Sequence, residues 1–154
     1  MKLIFATKNS GKTRELSKAL EETEFKVESL INQRIEAAPE TGSSFLENAL
    51  IKCKSVSETT GRPTIADDSG LVVPALKGRP GIYSARYAGL GASDEENVQK
   101  LIQEIRSISD RRAYFFCCLV FMVSSDDPFP IFAQGLWKGD CLLYTSPSPR
   151  DGFT

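Results

Sequence analysis

Apolar positions fall into short runs at the two ends of the chain and into helical spacing between them. Residues 2–7 read as a first strand, the run Leu3-Ile4-Phe5-Ala6 being suited to burial on both faces. The polar turn Lys8-Asn9-Ser10-Gly11 follows, and then a helix with Lys12 in its first turn and Leu16 and Leu20 one turn apart. Residues 25–30 alternate, Phe25 and Val27 inward against Lys26 and Glu28, which predicts a half-exposed strand. Ser44 opens a second helix with Glu47 three residues on as a capping box. Phe45, Ala49, Cys53 and Val56 form its apolar stripe, and Thr60-Gly61 ends it. Ser93 and Glu96 repeat the pairing before a third helix striped by Val98, Leu101, Ile102 and Ile105. Residues 113–123 read as a long apolar strand, residues 124–128 as a turn, residues 131–134 as the antiparallel partner, and residues 135–139 as a glycine corner.

Between the second and third helices lies Ile65-Ala66-Asp67-Asp68-Ser69-Gly70-Leu71. A short apolar approach delivers two adjacent carboxylates, a hydroxyl and a glycine before the chain turns apolar again. As the end of a strand, this places hard oxygen ligands at the rim of a sheet, where magnesium on phosphates is held. As local chemistry, Asp, Ser and Gly are also the commonest turn residues, and the segment alone favours a turn. The loop Lys77-Gly78-Arg79-Pro80-Gly81 through Gly89 is rigid in composition. Its Arg86 is suited to a phosphate, a partner's carboxylate or a stacking tyrosine.

Composition narrows the chemistry. The 154 residues, 41% of them hydrophobic, suit one domain, and a net charge of -1 from 19 basic and 20 acidic side chains offers no nucleic-acid surface. No apolar stretch approaches the ~20 residues of a membrane span, so a soluble, cytoplasmic protein with no membrane partner is expected. The four cysteines fit neither a disulfide framework nor a zinc pair and read as buried thiols. With no histidine, a Ser-His-Asp or Cys-His nucleophile system cannot be built. Carboxylates, lysines, hydroxyls and a bound metal are left.

A strand, a polar glycine turn and a helix N-terminus flanked by Lys8 and Lys12 make an anion site. Thr7, Asn9 and Lys12 would hold triphosphate oxygens there, or Asn9 and Ser10 simply form the turn and cap the helix. Gly11-Lys12-Thr13 is the end of a P-loop signature, but its first glycine would sit at position 6, which is Ala6. Glu40, in the loop before the second helix, is able to turn toward a neighbouring metal or to stand as a solvated loop acid; Glu47 is read as a cap.

Taken together, Ala6-Thr7-Lys8-Asn9-Ser10-Gly11-Lys12, Glu40-Thr41-Gly42, Phe45-Leu46-Glu47-Asn48-Ala49, the Asp67-Asp68 segment and Pro80-Gly81-Ile82-Tyr83-Ser84-Ala85-Arg86-Tyr87 resemble the inosine triphosphate pyrophosphatase family. The order and spacing of these pieces, more than any single one, carry the resemblance. It implies an α/β fold of two lobes around a long mixed β-sheet with the active-site cleft between them. It also implies hydrolysis of non-standard purine nucleoside triphosphates (ITP, dITP, XTP) to monophosphate and pyrophosphate, with Mg2+, in a cytoplasmic homodimer. By matched position, Asp68 is the acid that activates water and ligates the metal, and Glu40 is a second metal ligand. Thr7, Lys8, Asn9, Ser10, Gly11, Lys12 and Ser69 bind substrate.

The family's base-reading segments, which follow the Gly139 position, have no counterpart here. Residues 1–139 are therefore expected to be an incomplete pyrophosphatase domain and residues 140–154 a non-native tail. The competing readings are a P-loop-like NTPase releasing orthophosphate and an inactive nucleotide-binding fragment.

Overall fold

The computed structural model describes residues 1–141. The chain forms β1 (Lys2–Phe5), α1 (Ser10–Ala19), β2 (Lys26–Ser29), α2 (Phe45–Thr60), β3 (Thr64–Val72), two 3-10 segments (Pro74–Leu76 and Gly81–Arg86), α3 (Asp94–Ile105), β4 (Arg112–Met122) and β5 (Ile131–Asp140). The fold is α/β, with a five-stranded mixed sheet in the order β2-β1-β3-β4-β5.

β1 is parallel to both neighbours, pairing Leu3 with Val27 of β2 and Phe5 with Ile65 of β3. Leu3, Ile4, Phe5 and Ala6 are all buried, as a strand flanked on both edges requires. The crossover through α1 leads to one side of β1 and the crossover through α2 to the other. Such a reversal opens a crevice at the carboxyl ends of the strands, where open α/β sheets bind ligands.

Two compact units divide the chain, one of Met1–Asp68 with Cys118–Ala133, the other of Ser69–Cys117 with residues from Gln134 onward. In the first, α2 lays Ala49, Cys53 and Val56 into a core with Ile4, Ala66, Cys118 and Val120. Cys53 Sγ donates to the Thr64 carbonyl at 3.2 Å, and burial pushes this thiol up to about 12, so it is an inert core group. None of the four cysteines is in a disulfide; Cys53, Cys118 and Cys141 are buried, as expected, and Cys117 is half-buried. In the second unit, Val73, Leu76, Tyr87, Leu101, Ile105, Ala113 and Cys141 form one cluster.

The caps follow the sequence closely. Asn9 caps α1, Ser44 caps α2, and Gly61 ends α2 in the left-handed region at φ 64°. Ser93 and Glu96 make a complete capping box on α3, with each partner's bond at 3.1 Å. Ser93→Ala should cost about 1 kcal/mol, read as a lower urea midpoint at unchanged slope. On α2 the reciprocal bond is displaced by one residue: the Glu47 carboxylate accepts from Ser43 N–H at 2.7 Å rather than from Ser44.

Two readings need correction. The acids of residues 67–68 lie neither in a turn nor at a strand end, because β3 continues through them to Val72. The expected glycine corner of residues 135–139 belongs to β5, which runs unbroken to Asp140, and Cys141 follows it into the second core with its N–H on the Arg111 carbonyl at 2.9 Å. Of the expected tail, residues 140–154, all but Asp140 and Cys141 lie outside the described residues. Arg86 stacks, its guanidinium 5.1 Å from the Tyr83 ring centroid. Among the described residues no helix is long and apolar enough to cross a membrane.

Candidate active site

The turn after β1 organises itself before it binds anything. Asn9 N–H donates to Thr7 Oγ1 at 3.1 Å, and Asn9 Oδ1 accepts from Lys12 N–H at 3.0 Å, closing the first turn of α1. The capping role is thus real, and it is compatible with an anion site, because the dipole of α1 still points its positive end at this turn. Lys8 reaches outward to Glu36 at 2.7 Å and does not join the acids. Ser10 and Gly11 form the start of the helix.

Lys12 turns the other way. Its Nζ lies 2.7 Å from Asp67 Oδ2, joining α1 to β3 across 55 residues of sequence. β1 pairs with β3 through Thr64 and Ile65 and then ends, so Asp67 and Asp68 lie beyond that pairing. Both carboxylates are buried, at 3% and 7% exposure. Ser69 follows directly on β3, at the start of the second unit.

A second lysine completes the cluster. Lys52 Nζ of α2 is 3.3 Å from Glu40 Oε1 and 4.0 Å from Asp67 Oδ1. Burial pushes the Asp68 carboxyl up to about 6, with the Glu40 charge adding to the rise; the Asn48 amide and Lys52 oppose it, and Asp67 reinforces it. Although Asn48 acts on Asp68 in this way, the pair does not meet hydrogen-bond geometry. Asn48 Nδ2, Asp67 Oδ1 and Asp68 Oδ2 are each buried without a hydrogen-bond partner.

Glu40, Asp67 and Asp68 against Lys12 and Lys52 leave one negative charge in excess when all are ionised. Orphaned buried carboxylate oxygens with excess negative charge form a donor set that suits a hard cation. Among the described residues no group of three or more His, Cys, Asp or Glu side chains is arranged to hold a metal alone. Mg2+ is ordinarily held by one or two carboxylates with water and substrate phosphates making up the rest, so the residues present fit it.

Of the residues singled out in the sequence, Lys12, Glu40 and Asp68 come together in the first unit, with Thr7 and Asn9 shaping the turn that carries Lys12. Lys8 stands apart. Lys52 and Asn48 were missed. Their signal was a polar pair four residues apart on α2, beside the apolar stripe rather than opposite it.

A sheet that reverses at β1, with a helix N-terminus and a lysine-carboxylate cluster at the reversal, defines an open α/β protein with a charged site at the carboxyl ends of its strands. The chain belongs to the Ham1 family, whose profile matches residues 3–153. It is 46% identical to the dITP/XTP pyrophosphatase of Yersinia pestis, over 99% of this chain and 77% of that protein. It is 47% identical to the dITP/XTP pyrophosphatase of Vibrio cholerae, over 99% of this chain and 76% of that one. The HAM1 protein of Coxiella burnetii superposes with a TM-score of 0.86 at 37% identity, covering 94% of this chain and 74% of its own. The Ham1 protein of Staphylococcus aureus gives 0.84 at 33% identity, covering 99% and 80%.

Proposed function

We propose that this protein hydrolyses non-standard purine nucleoside triphosphates, ITP, dITP and XTP, to the monophosphate and pyrophosphate, and so clears them from the nucleotide pool. The observation that carries the reading is the meeting of Lys12, Glu40 and Asp68 beside the turn after β1, in a chain whose relatives are dITP/XTP pyrophosphatases. In this reading the turn from Thr7 through Lys12, with Lys8, Asn9, Ser10 and Gly11, receives the triphosphate, and Ser69 contacts the same substrate. Asp68 takes the proton from the attacking water. The new bond forms between that water oxygen and the α-phosphorus, and the bond to the bridging oxygen breaks, releasing pyrophosphate.

Asp68 is built for the proton step. Burial and Glu40 raise its proton affinity toward neutrality, which brings a carboxylate closer to the strength a general base needs. Lys12 is a cation held by Asp67, able to share its charge with phosphoryl oxygens as negative charge moves to the leaving group. Mg2+ held by Glu40 and Asp68 would supply Lewis-acid polarisation of the phosphoryl oxygens. The protein is taken to act in the cytoplasm as a homodimer, in keeping with the family resemblance.

The test is product identity. The chain incubated with dITP and Mg2+ should release pyrophosphate and dIMP in equal amounts. Orthophosphate with dIDP would overturn the reading in favour of a P-loop-like NTPase.

A further inference from the structure

The loop that carries Glu40 is fastened to α2 at alternate residues. Ala38 N–H donates to Ser55 Oγ at 3.1 Å, Glu40 Oε1 accepts from Lys52 Nζ at 3.3 Å, and Gly42 N–H donates to Asn48 Oδ1 at 2.7 Å. The geometry is a match of two periods. Residues 48, 52 and 55 share one face of a helix, and an extended segment exposes every second residue to one side. Residues 38, 40 and 42 meet residues 55, 52 and 48 in turn, so the loop runs antiparallel to about 10 Å of helix.

The last of these fasteners differs from the others. Asn48 is fully buried, and only its oxygen has a hydrogen-bond partner; Nδ2 is buried without one and acts on Asp68, whose Oδ2 is likewise unpartnered. The approach at Gly42 is also too close for a side chain. A Cβ there would lie 2.7 Å from Glu47 Cβ and 2.8 Å from Asn48 Oδ1. A satisfied core asparagine would have both ends of its amide paired, whereas here the nitrogen is buried without a partner.

We infer that Asn48 is a positioning residue, one rigid amide that sets Glu40 against Asp68 by holding the loop through Gly42 with its oxygen and facing the Asp68 carboxyl with its nitrogen. The inference rests on the pyrophosphatase reading for what the two carboxylates do, and on the Gly42–Asn48 hydrogen bond and the unpartnered buried atoms Asn48 Nδ2 and Asp68 Oδ2 for how they are held. Both carboxylates would move apart if the amide were removed, while Lys12, Thr7 and Asn9 would keep their places. Loss should therefore fall on kcat and on cation binding rather than on KM.

Two variants of the full chain separate the amide's ends. Asn48→Leu fills the same space and removes both polar ends, and Asn48→Asp keeps an acceptor for Gly42 N–H but removes the donor. In Asn48→Leu, hydrogen exchange at the Gly42 amide should rise at least tenfold, and Mn2+ affinity by paramagnetic titration should fall about 10- to 100-fold. kcat for dITP should fall by a similar factor, with KM within threefold. Asn48→Asp should keep the slow Gly42 exchange yet lose kcat, and it serves alone if the leucine variant does not fold. Either variant retaining kcat within threefold of the parent would overturn the inference, since the amide would then be a loop fastener only. Should the parent release orthophosphate instead of pyrophosphate while exchange and Mn2+ affinity respond as stated, the functional reading falls and the positioning role stands.

Discussion

Asp68→Asn should lower the rate of pyrophosphate release from dITP by about 10²- to 10⁴-fold, the range for loss of a positioned general base. That is roughly 3–5 kcal/mol of transition-state stabilisation. Asparagine keeps the size and shape of the side chain but cannot accept the proton from water. The same substitution should make the fold more stable at neutral pH. Burial and the Glu40 charge oppose ionisation of Asp68, so its folded pKa of about 6 lies above the ordinary value of 3.8. An acid shifted upward stabilises the fold most when protonated, below the unfolded value, and that contribution is lost as pH rises through about 6. In metal-free protein the Asp68→Asn variant should therefore melt above the parent at pH 8, and the gap should close near pH 4. Activity and stability moving in opposite directions is the mark of a functional carboxylate. If the variant lost activity and stability together at pH 8, Asp68 would be a structural residue.

Where the sequence was legible, a local rule agreed with the packing. The buried run of β1 and the caps Ser44, Ser93 and Gly61 each follow from a few adjacent residues. So does the stripe Ala49, Cys53, Val56, and all of these are where the pattern puts them. The acids on β3 were not legible as a strand, because Asp-Asp-Ser-Gly has poor strand propensity and good turn chemistry. What overrides propensity there is tertiary: Lys12 arrives from 55 residues away and Lys52 from another helix, neither of which a local window contains. The pattern ends β5 at Gln134 for a related reason. A strand exposed along nearly all its length carries no inside-outside alternation, so its two glycines read as a corner. In the site, the charged residues carry a familiar chemistry in sequence, and Asn48 does not. A neutral amide beside an apolar stripe has no signature until the carboxylates around it are seen.

Lys12→Met should act on the fold and on turnover by separable routes. The thioether keeps most of the side-chain volume but leaves Asp67, with a side chain 4% exposed, with Lys52 at 4.0 Å as its remaining cation among the described residues. Removing one partner of a buried pair leaves an uncompensated charge, and the expected cost is about 3 kcal/mol in urea unfolding. Adding Asp67→Asn removes that charge, so Lys12→Met with Asp67→Asn should recover most of the lost stability. It should not recover pyrophosphate release, because in the proposed reaction Lys12 lends its charge to phosphoryl oxygens and no neutral pair can do so. Asp67→Asn alone is the informative control, since it frees Lys12 without removing it. If turnover returned in the double variant along with stability, Lys12 would serve only to neutralise Asp67. Stability without turnover would instead make the ion pair a resting position, one in which Asp67 holds the lysine until a triphosphate draws it away.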